Sequence, residues 1–390
     1  MDWVNELRMQ TPVCKKCIYL DCAYDCGGTT FAASAAQQYF EDWSRSASLV
    51  ERGGPGRKSF FDKADETRSL ICRLIGARDP KEVCFTRNTN EGISHILMGF
   101  DDFKPGDNII TADIEHPSVL MPCLNAEKLK GVECRIIRAE KGEYLPPELY
   151  INACDSHTRM IVLSHVQSSN GYKTDLKAIG DYCRNMGIYL IVDAIQSLGF
   201  SVFEAEKWGA SAVSAGGYKG ILAGESAAFL WCSQALLEHI WPTYTAAGAA
   251  MTVDKSKEKW ELTCTDTKWA RKLENSSLDA PGIYVLYSGI STVLRIGPMN
   301  IEKHIRTLYE MLYDGLVSMG IQPITPRDEA SSCASIAFDM PSKEDFFVFM
   351  RSHGVAMTCS RLLRLSIGAF NTADDIQKAL SNIWSYLNVH

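Results

Sequence analysis

The sequence predicts an α/β fold: a large domain with a mostly parallel sheet between helices, and a smaller α+β domain. Three observations lead to this prediction. The chain has 390 residues, more than one small hydrophobic core usually needs. From about residue 30 to 235, helical patterns alternate with short apolar runs, which is typical of a parallel sheet covered by helices. After about residue 235 this alternation gives way to a polar stretch and then to mixed helix and strand signals.

The alternating region predicts a series of helices and strands. Apolar residues at helical spacing predict helices over 33–46, 63–76, 90–99, 117–130 and 175–187. Short apolar runs between them predict strands over 83–85, 108–113, 134–137, 160–166 and 188–193. Because these runs are apolar at every position instead of every second one, we expect both faces of the strands to be buried.

The last third of the chain predicts the smaller domain. A polar stretch extends from Thr252 to Asn275, and one long helix is predicted from about Pro281 to Met319. Shorter strand and helix signals follow near 321–324, 334–338, 346–353, 362–367 and 373–387. We therefore expect a large domain over residues 20–250, with residues 1–19 and 251–390 forming the small domain and the interdomain segments. A cleft between two domains is a common place for a cofactor.

Composition and charge narrow the class of function. Hydrophobic residues make up 46% of the chain and charged residues 22%, as in an ordinary globular protein. No apolar run approaches the roughly 18 residues of a membrane span, and the first residues lack the basic start and apolar stretch of a signal peptide. We therefore expect a cytoplasmic protein without a membrane partner. The net charge of −7 argues against nucleic acid and favours a small-molecule substrate.

Cysteine usage is high, at fourteen residues. Without a secretion signal, these are expected to be reduced thiols rather than a disulfide framework. Four of them crowd the start of the chain, at Cys14, Cys17, Cys22 and Cys26, and their spacing could in principle ligate zinc or an iron–sulfur cluster. The segment after Cys17 is typical of a strand entering a turn, however, and no second cysteine cluster follows. We predict no metal site.

An aspartate at the end of an apolar strand is the most informative feature. Asp193 ends the run Ile188-Tyr-Leu-Ile-Val, and Gln196 follows three residues later. In an open α/β sheet, ligands bind outside the carboxyl ends of the strands. A buried carboxylate there needs a cationic partner, and a protonated pyridine nitrogen would supply one. An aspartate that caps the following turn is the alternative, and for this residue alone the more common one.

A lysine follows this aspartate after 26 residues, in the segment Ser214-Ala-Gly-Gly-Tyr218-Lys219-Gly220. Small neighbours allow its side chain to reach into a cleft without steric competition. If it is partly desolvated and near other cations, its amine loses basicity and becomes a nucleophile and a base. A lone lysine in a glycine-rich turn is usually solvated, so the functional interpretation depends on the combination of Lys219 with Asp193.

Two upstream motifs fit the same picture. The run from Phe85 to Gly92 follows a strand and opens a helix, and N–H groups at a helix start bind phosphate. Thr89 in this run could equally be a plain helix N-cap. The motif Glu115-His116-Pro117 follows another predicted strand. An imidazole there could stack on a cofactor ring or transfer a proton, although a lone loop histidine more often does neither.

In this order, the motifs resemble those of the class V aminotransferases, the family that contains cysteine desulfurases, C–S lyases and isopenicillin N epimerase-like enzymes. The matching motifs are Tyr19-Leu20-Asp21, Thr89-Asn-Glu-Gly, Glu115-His-Pro, Val192-Asp-x-x-Gln, Lys219-Gly, and Arg364-x-Ser-x-x-x-Phe-Asn371-Thr372. They extend over most of the chain. The resemblance implies fold-type I of the pyridoxal 5′-phosphate (PLP) enzymes, and PLP as the cofactor.

The resemblance implies roles for the residues around the cofactor ring. Lys219 would bind PLP as a Schiff base, and Asp193 would pair with the pyridine nitrogen. Gln196 would donate to the phenolic oxygen of the ring, and His116 would lie over the ring face. Lys219, His116 and Asp193 are therefore the implied catalytic residues. Ser168 stands where relatives often have an asparagine near the ring oxygen.

It also implies the residues that bind phosphate and substrate. Thr89 and Asn90 would hold the phosphate, and Arg364 would bind the substrate α-carboxylate through its planar guanidinium. The family is homodimeric, and Ser277 matches a hydroxyl residue that reaches the phosphate in the partner subunit.

The chain departs from the family just before the lysine. Many relatives have Ser-x-His there, whereas this chain has Gly216-Gly217-Tyr218. The histidine donor is missing, and Ser214 lies one residue too early. Phosphate binding must therefore differ in detail, with Ser214 and the Tyr218 hydroxyl as the candidates.

The loop before Arg364 bears on the reaction. Desulfurases have their persulfide-forming cysteine on a longer loop at this place, whereas Cys359 is followed almost directly by Arg364. Such a short connection is similar to that of the C–S lyases and epimerases of the family. Cys359 is displaced from the desulfurase position, so we expect a buried structural cysteine rather than a catalytic thiol.

These expectations together predict a PLP-dependent lyase or transferase that acts on an amino acid. A C–S lyase or cysteine desulfurase-like β-elimination on a cysteine-type substrate is the first choice. Epimerisation comes second and transamination third, because all three reactions share their first steps. A non-catalytic PLP-fold binding protein is the alternative from another class, and the presence of both Asp193 and Lys219 speaks against it.

Overall fold

A computed structural model describes residues 2–46, 55–139, 144–245, 251–253, 256, 262–264, 268–275 and 277–389 of the protein. The chain begins with α1 (Trp3–Met9), β1 (Ile18–Tyr19), α2 (Thr30–Ser46) and α3 (Pro55–Ile75). The alternating region gives β2 (Val83–Thr86), α4 (Thr89–Gly99), β3 (Asn108–Ala112), α5 (Pro117–Lys130), β4 (Glu133–Ile137), α6 (Pro147–Asn152), β5 (Thr158–Ser164), α7 (Leu176–Met186), β6 (Tyr189–Asp193), β7 (Ala212–Gly216), β8 (Ala228–Cys232) and α8 (Gln234–Leu237).

The rest of the chain contains helices and short strands. They are β9 (Met251–Val253), β10 (Leu262–Cys264), α9 (Ala280–Ile296), α10 (Pro298–Ser318), β11 (Ser335–Phe338), α11 (Lys343–Ser352), β12 (Val355–Ala356), β13 (Thr358–Cys359), β14 (Leu363–Ser366) and α12 (Ala373–Val389).

Seven strands form the central sheet, in the order β2–β8–β7–β6–β5–β3–β4. β8 is antiparallel to both of its neighbours, and the other neighbouring pairs are parallel. Alternate residues of β5 enter different hydrophobic clusters: Ile161 and Leu163 belong to one, and Met160 and Val162 to the other. Both faces of the sheet are therefore buried, as the continuous apolar runs predict. The predicted α/β class is confirmed.

The direction of the strands determines where a ligand can bind. β2, β3, β5, β6 and β7 all run in the same direction, so their carboxyl ends lie along one edge of the sheet. The loops that leave this edge are free of the hydrogen-bonding demands of the sheet and can present polar side chains to a ligand.

The two ends of the chain meet beside this edge. β1 pairs in parallel with β12, and Asp21 forms an isolated bridge with Ser366 of β14. β14 itself lies between β11 and β13 in a three-stranded antiparallel sheet. The proposed division into domains at residues 20–250 stays a prediction, and its boundary adjoins residues 246–250, which lie outside the described part of the chain.

Two predictions for the last third of the chain are wrong. The long helix expected from Pro281 to Met319 is two helices, α9 and α10, separated at Gly297. Gly297 has a φ of +93°, and Pro298, which has no N–H to donate, starts the second helix. The strand expected at 321–324 is reduced to an isolated bridge between Pro323 and Phe338.

Gly199 offers a test of the packing beneath the lysine turn. It has a φ of +80°, and an added Cβ would lie 2.0 Å from the carbonyl oxygen of Gly220. Gly187, at the end of α7, has a φ of +69° but no atom within 4 Å of the added Cβ. Gly187→Ala should lower the free energy of unfolding by about 1 kcal/mol through backbone strain alone. Gly199→Ala should lower it by about 3 kcal/mol or more, because the clash adds to the strain.

Urea denaturation at neutral pH measures both free energies. Equal losses in the two variants would contradict the close packing of Gly199 against Gly220.

Candidate active site

A cavity opens at the carboxyl edge of the sheet. The residues around it follow β2, β3, β5, β6 and β7. They are Asn88, Thr89, His116, Ser118, Ser164, Val166, Ser168, Asp193, Ile195, Gln196, Tyr218 and Lys219. The structure thus brings together seven of the residues predicted from sequence, although they come from the ends of five different strands or from the loops after them.

Asp193 is the last residue of β6 and is 3% exposed. Its Oδ1 accepts a hydrogen bond from the N–H of Ile195 at 2.9 Å. Burial raises the pKa of the carboxyl to about 6, against the opposing effects of this hydrogen bond and of Lys219. The carboxylate is thus held at a place where its charge is costly.

Lys219 lies in the turn after β7 and is 6% exposed. Hydrogen bonds within the turn fix its backbone: the N–H of Leu222 donates to the carbonyl of Lys219 at 2.8 Å. Burial, together with the charge of Arg364, lowers the pKa of the amine to about 8, against the opposing effect of Asp193. A larger fraction of this amine is therefore neutral, and nucleophilic, than for an exposed lysine.

His116 is the N-cap residue of α5. Its Nδ1 accepts a hydrogen bond from the N–H of Ser118 at 3.1 Å. Desolvation of the ring, together with the positive charges of Lys219 and Arg364, lowers the pKa of the imidazole. The ring is therefore neutral near pH 7, with its proton on Nε2, the nitrogen that is not bonded to Ser118.

The start of α4 forms another wall of the cavity. The side chain of Asn88 caps this helix, with Oδ1 accepting from the N–H of Glu91 at 2.9 Å. The Thr89 hydroxyl oxygen is buried and has no hydrogen-bond partner among the residues that the structure describes. An unpaired hydroxyl at the start of an 11-residue helix is suited to an anionic group. Asn88 was not among the predicted site residues, although its place before the helix is typical of an N-cap.

Four predicted site residues do not line this cavity. Asn90 lies on α4 beyond Thr89. Ser214 is fully buried in β7, and its hydroxyl donates to the carbonyl of Thr89 at 3.1 Å. Its hydroxyl therefore holds the backbone at the start of α4 and does not face the cavity. Ser277 is exposed and lines a separate cavity, which Arg87 also lines.

Arg364, the fourth of these, lies on β14 and is 8% exposed. Its Nη1 donates to the carbonyl of Ser168, and its Nη2 donates to the Thr358 hydroxyl at 3.1 Å. Its Nε is buried and has no hydrogen-bond partner in the described part of the chain. Burial lowers the pKa of this guanidinium, with Asp21 opposing. A buried cation whose nearest carboxylate, Asp21, is 4.0 Å away is suited to an anionic ligand.

The N-terminal segment contacts two residues that line the cavity, Gln196 and Tyr218, which sequence patterns did not predict. Gln196 donates from Nε2 to the carbonyl of Ala23 at 3.0 Å. The N–H of Cys26 donates to the carbonyl of Tyr218 at 3.1 Å. These contacts join residues nearly two hundred positions apart, so no local pattern indicates them.

Cys359 faces away from Arg364. In the β13–β14 pair, Thr358 lies opposite Arg364 and Cys359 lies opposite Leu363. Successive side chains of a strand point to opposite faces, so Thr358 shares a face with Arg364 and Cys359 does not. Cys359 packs against the hydrophobic core but is only partly buried, in contrast to the buried cysteine that the sequence predicts. Thirteen cysteines have side chains that the structure describes; all thirteen are free thiols, and none of them lines the cavity.

Comparison with known proteins identifies the family. The family model for class V aminotransferases matches residues 18–379. The chain belongs to the class V aminotransferase family. This confirms the resemblance seen in the motifs, and with it PLP as the cofactor.

Individual class V proteins are similar over almost their whole length. A protein named probable cysteine desulfurase from Methanothermobacter thermautotrophicus is 26% identical, over 96% of this chain and 95% of its own. The apo structure of a cysteine desulfurase from Thermococcus onnurineus has a TM-score of 0.86 at 19% identity, covering 99% and 98% of the two chains. The cystine C–S lyase C-DES, in complex with its product cysteine persulfide, has a TM-score of 0.83 at 17% identity, covering 96% and 99%.

The described residues of this class V protein contain neither a candidate metal site nor a helix that could span a membrane. Within them, no group of three or more His, Cys, Asp or Glu side chains is placed to hold a metal ion. No helix among them has the length and apolar character that crossing a membrane requires.

The pKa of Asp193 gives a test of its burial in the cofactor-free protein. An aspartate in an unfolded chain titrates near pH 3.9, whereas Asp193 in the folded protein titrates near pH 6. The folded state therefore loses stability as the pH rises through this window, because the buried carboxyl must ionise. Asp193→Asn removes this loss. The free energy of unfolding of the variant, relative to wild type, should rise by about 2 kcal/mol between pH 4 and pH 7.

Urea denaturation across this pH range measures the difference. Asp181→Asn is the control, because Lys177 lowers the pKa of this exposed carboxyl, so its replacement should bring no gain. A pH-independent difference for Asp193→Asn would contradict the burial of an ionisable carboxyl at this place.

Proposed function

We propose that this class V protein is a PLP-dependent C–S lyase, which acts on a cysteine-type amino acid by β-elimination. The described part of the chain offers no thiol at the cavity that could accept sulfur, and this is the observation on which the choice of a lyase depends. The C-DES protein, which is similar in fold, is named a cystine C–S lyase. Several similar proteins are named cysteine desulfurases, which makes desulfuration the nearest competing reaction.

The residues of the cavity fit PLP at both of its ends. The unpaired Thr89 hydroxyl, with the start of α4 and Asn90, would hold the phosphate. Asp193 would pair with the pyridine nitrogen, whose positive charge would offset the cost of the buried carboxylate. Tyr218, Gln196 and Ser168 line the cavity between these points and would contact the ring or its substituents.

The chemistry divides between cofactor and protein. When bound, PLP supplies an electron-withdrawing ring that stabilises negative charge at the substrate α-carbon. Lys219 would hold the cofactor until the substrate amine replaces it, and its amine, with the pKa lowered to about 8, would then remove the α-proton. The C–S bond breaks as the thiolate leaves with the bonding electron pair. Hydrolysis of the remaining fragment gives pyruvate and ammonia.

Arg364 and His116 would position the substrate. The Arg364 guanidinium, held by the Ser168 carbonyl and the Thr358 hydroxyl, would bind the α-carboxylate. His116 is neutral, so it could donate from Nε2 to the cofactor or substrate without adding a charge.

We also propose a homodimer in the cytoplasm. Ser277 is exposed and does not line the cavity of its own chain, which fits contact with the phosphate in a partner subunit. The free thiols of the described cysteines suit a reducing compartment. The net charge of −7 gives no support to nucleic acid as a partner.

The reaction is tested by incubating the PLP-loaded protein with L-cysteine, L-cystine and S-substituted cysteines. We expect pyruvate, ammonia and a sulfur product in equal amounts. Cys359→Ser should retain at least about half of the wild-type rate, because this thiol does not line the cavity and lies on the face of its strand opposite to that of Arg364. Lys219→Ala should lower the rate by about a thousandfold or more, because the variant lacks the base that removes the α-proton.

Product analysis separates the alternatives. Alanine with protein-bound persulfide, lost in Cys359→Ser, would contradict the lyase and identify a desulfurase. Exchange of the α-proton with racemisation would indicate an epimerase, and conversion of a keto acid to an amino acid would indicate an aminotransferase. Folded protein that binds PLP but turns over none of these substrates would contradict the proposed cysteine-type substrate.

A further inference from the structure

Glu115 is a buried carboxylate just outside the cavity, and the mechanism above does not use it. Its side chain is 6% exposed and accepts several hydrogen bonds from one short stretch of chain. The N–H of Ser164 lies 3.0 Å from each carboxylate oxygen, and the Ser164 hydroxyl lies 2.6 Å from Oε2. The Gln167 side-chain amide donates to Oε1 at 2.7 Å.

These donors are neutral, and the surroundings disfavour a charge. Burial, together with the nearby Asp193, raises the pKa of Glu115 to about 7, against the opposing effect of the hydrogen bonds from Ser164 and Gln167. The Gln167 side chain directs its amide nitrogen to Glu115, while its own carbonyl oxygen is buried without a partner among the described residues. An unpaired buried acceptor costs about 1–3 kcal/mol. The carboxylate is therefore kept at a cost in stability, and a function at this place would account for it.

The position of Glu115 in the chain indicates what this function is. Glu115 and His116 lie in the short loop between the end of β3 and the start of α5. Ser164, to which Glu115 is bonded, ends β5, lines the cavity and pairs with Asp193 of the next strand. The hydrogen bonds of Glu115 thus tie the loop that contains His116 to the strand beside Asp193.

We propose that Glu115 is a positioning residue that holds the His116 imidazole at the wall of the cofactor cavity. Its two oxygens accept from three donors at once, which neither an amide nor a hydroxyl in the same place could do. The bonds to Ser164 and Gln167 fix the backbone of the loop, and the bond from Ser118 to Nδ1 fixes the ring. The inference rests on the proposed role of the cavity as the PLP site.

A purely structural role would also explain a buried, hydrogen-bonded carboxylate. The two interpretations differ in one measurable respect. If Glu115 acts through His116, replacing it should have little effect once the imidazole has been removed. If it supports the fold in general, the effect should be the same with and without the imidazole.

A double-mutant cycle of Glu115→Gln and His116→Ala makes this distinction. The first readout is the circular dichroism of the bound cofactor in its visible band, at about 410–430 nm, per mole of cofactor bound. It reports the asymmetric surroundings of the ring and does not require turnover. The second readout is kcat and KM for the substrate that the product assay identifies.

We expect Glu115→Gln alone to reduce the visible ellipticity at least about twofold and kcat about tenfold, with KM changed less. His116→Ala should have an effect of similar size. The double variant should resemble His116→Ala. In that background, Glu115→Gln should therefore change the ellipticity and kcat by less than about twofold. Glu115→Asp, which keeps the charge on a shorter side chain, should recover part of the ellipticity.

Other outcomes overturn the inference. Equal effects of Glu115→Gln in the two backgrounds would show a role in the fold alone. If Glu115→Gln does not fold, the same cycle is made with Ser164→Ala, which removes one donor, and the same criterion applies. A wild-type protein that binds no PLP would instead overturn the proposed function. Bound PLP without coupling between Glu115 and His116 overturns only the role of Glu115.

Discussion

The structure depends on burying two opposite charges, Asp193 and Lys219, at the carboxyl edge of one sheet. Each is costly there: burial raises the pKa of Asp193 to about 6 and lowers that of Lys219 to about 8. Their mutual attraction offsets part of this cost. The cost that remains is lowered by a ligand that brings a cationic nitrogen to the carboxylate and a carbonyl group to the amine. PLP offers both groups.

The two ends of the chain contact residues around this pair. The N-terminal segment contacts the site through Ala23 and Cys26, and the C-terminal β14 contributes Arg364. Buried side chains at this edge, such as Ser214 and Glu115, bond to neighbouring backbone and side-chain groups and hold the loops from behind. Polar groups in a low-dielectric site interact strongly, so small displacements of these supports should change the chemistry at the cavity.

Sequence patterns predicted most of the sheet and the order of the site residues, because both depend on local signals. Apolar runs mark strands buried on both faces, and Asp193 and His116 each follow such a run. The patterns failed in one place where a distant contact decides and in another where a local signal was outweighed. Ser214 was placed at the cavity, whereas its hydroxyl faces the carbonyl of Thr89. The break at Gly297 was missed because the apolar spacing of α9 and α10 continues across it, although the Gly-Pro pair is a known break signal.

Covalent trapping of the cofactor tests the central claim most directly. Wild-type protein incubated with PLP should show a band at about 410–430 nm that borohydride bleaches. Mass spectrometry of the reduced protein should then find the pyridoxyl group on Lys219, and folded Lys219→Ala should show neither the band nor the modification. A reduced pyridoxyl group on another lysine, or a band that survives in Lys219→Ala, would contradict the assignment of the buried pair as the cofactor site.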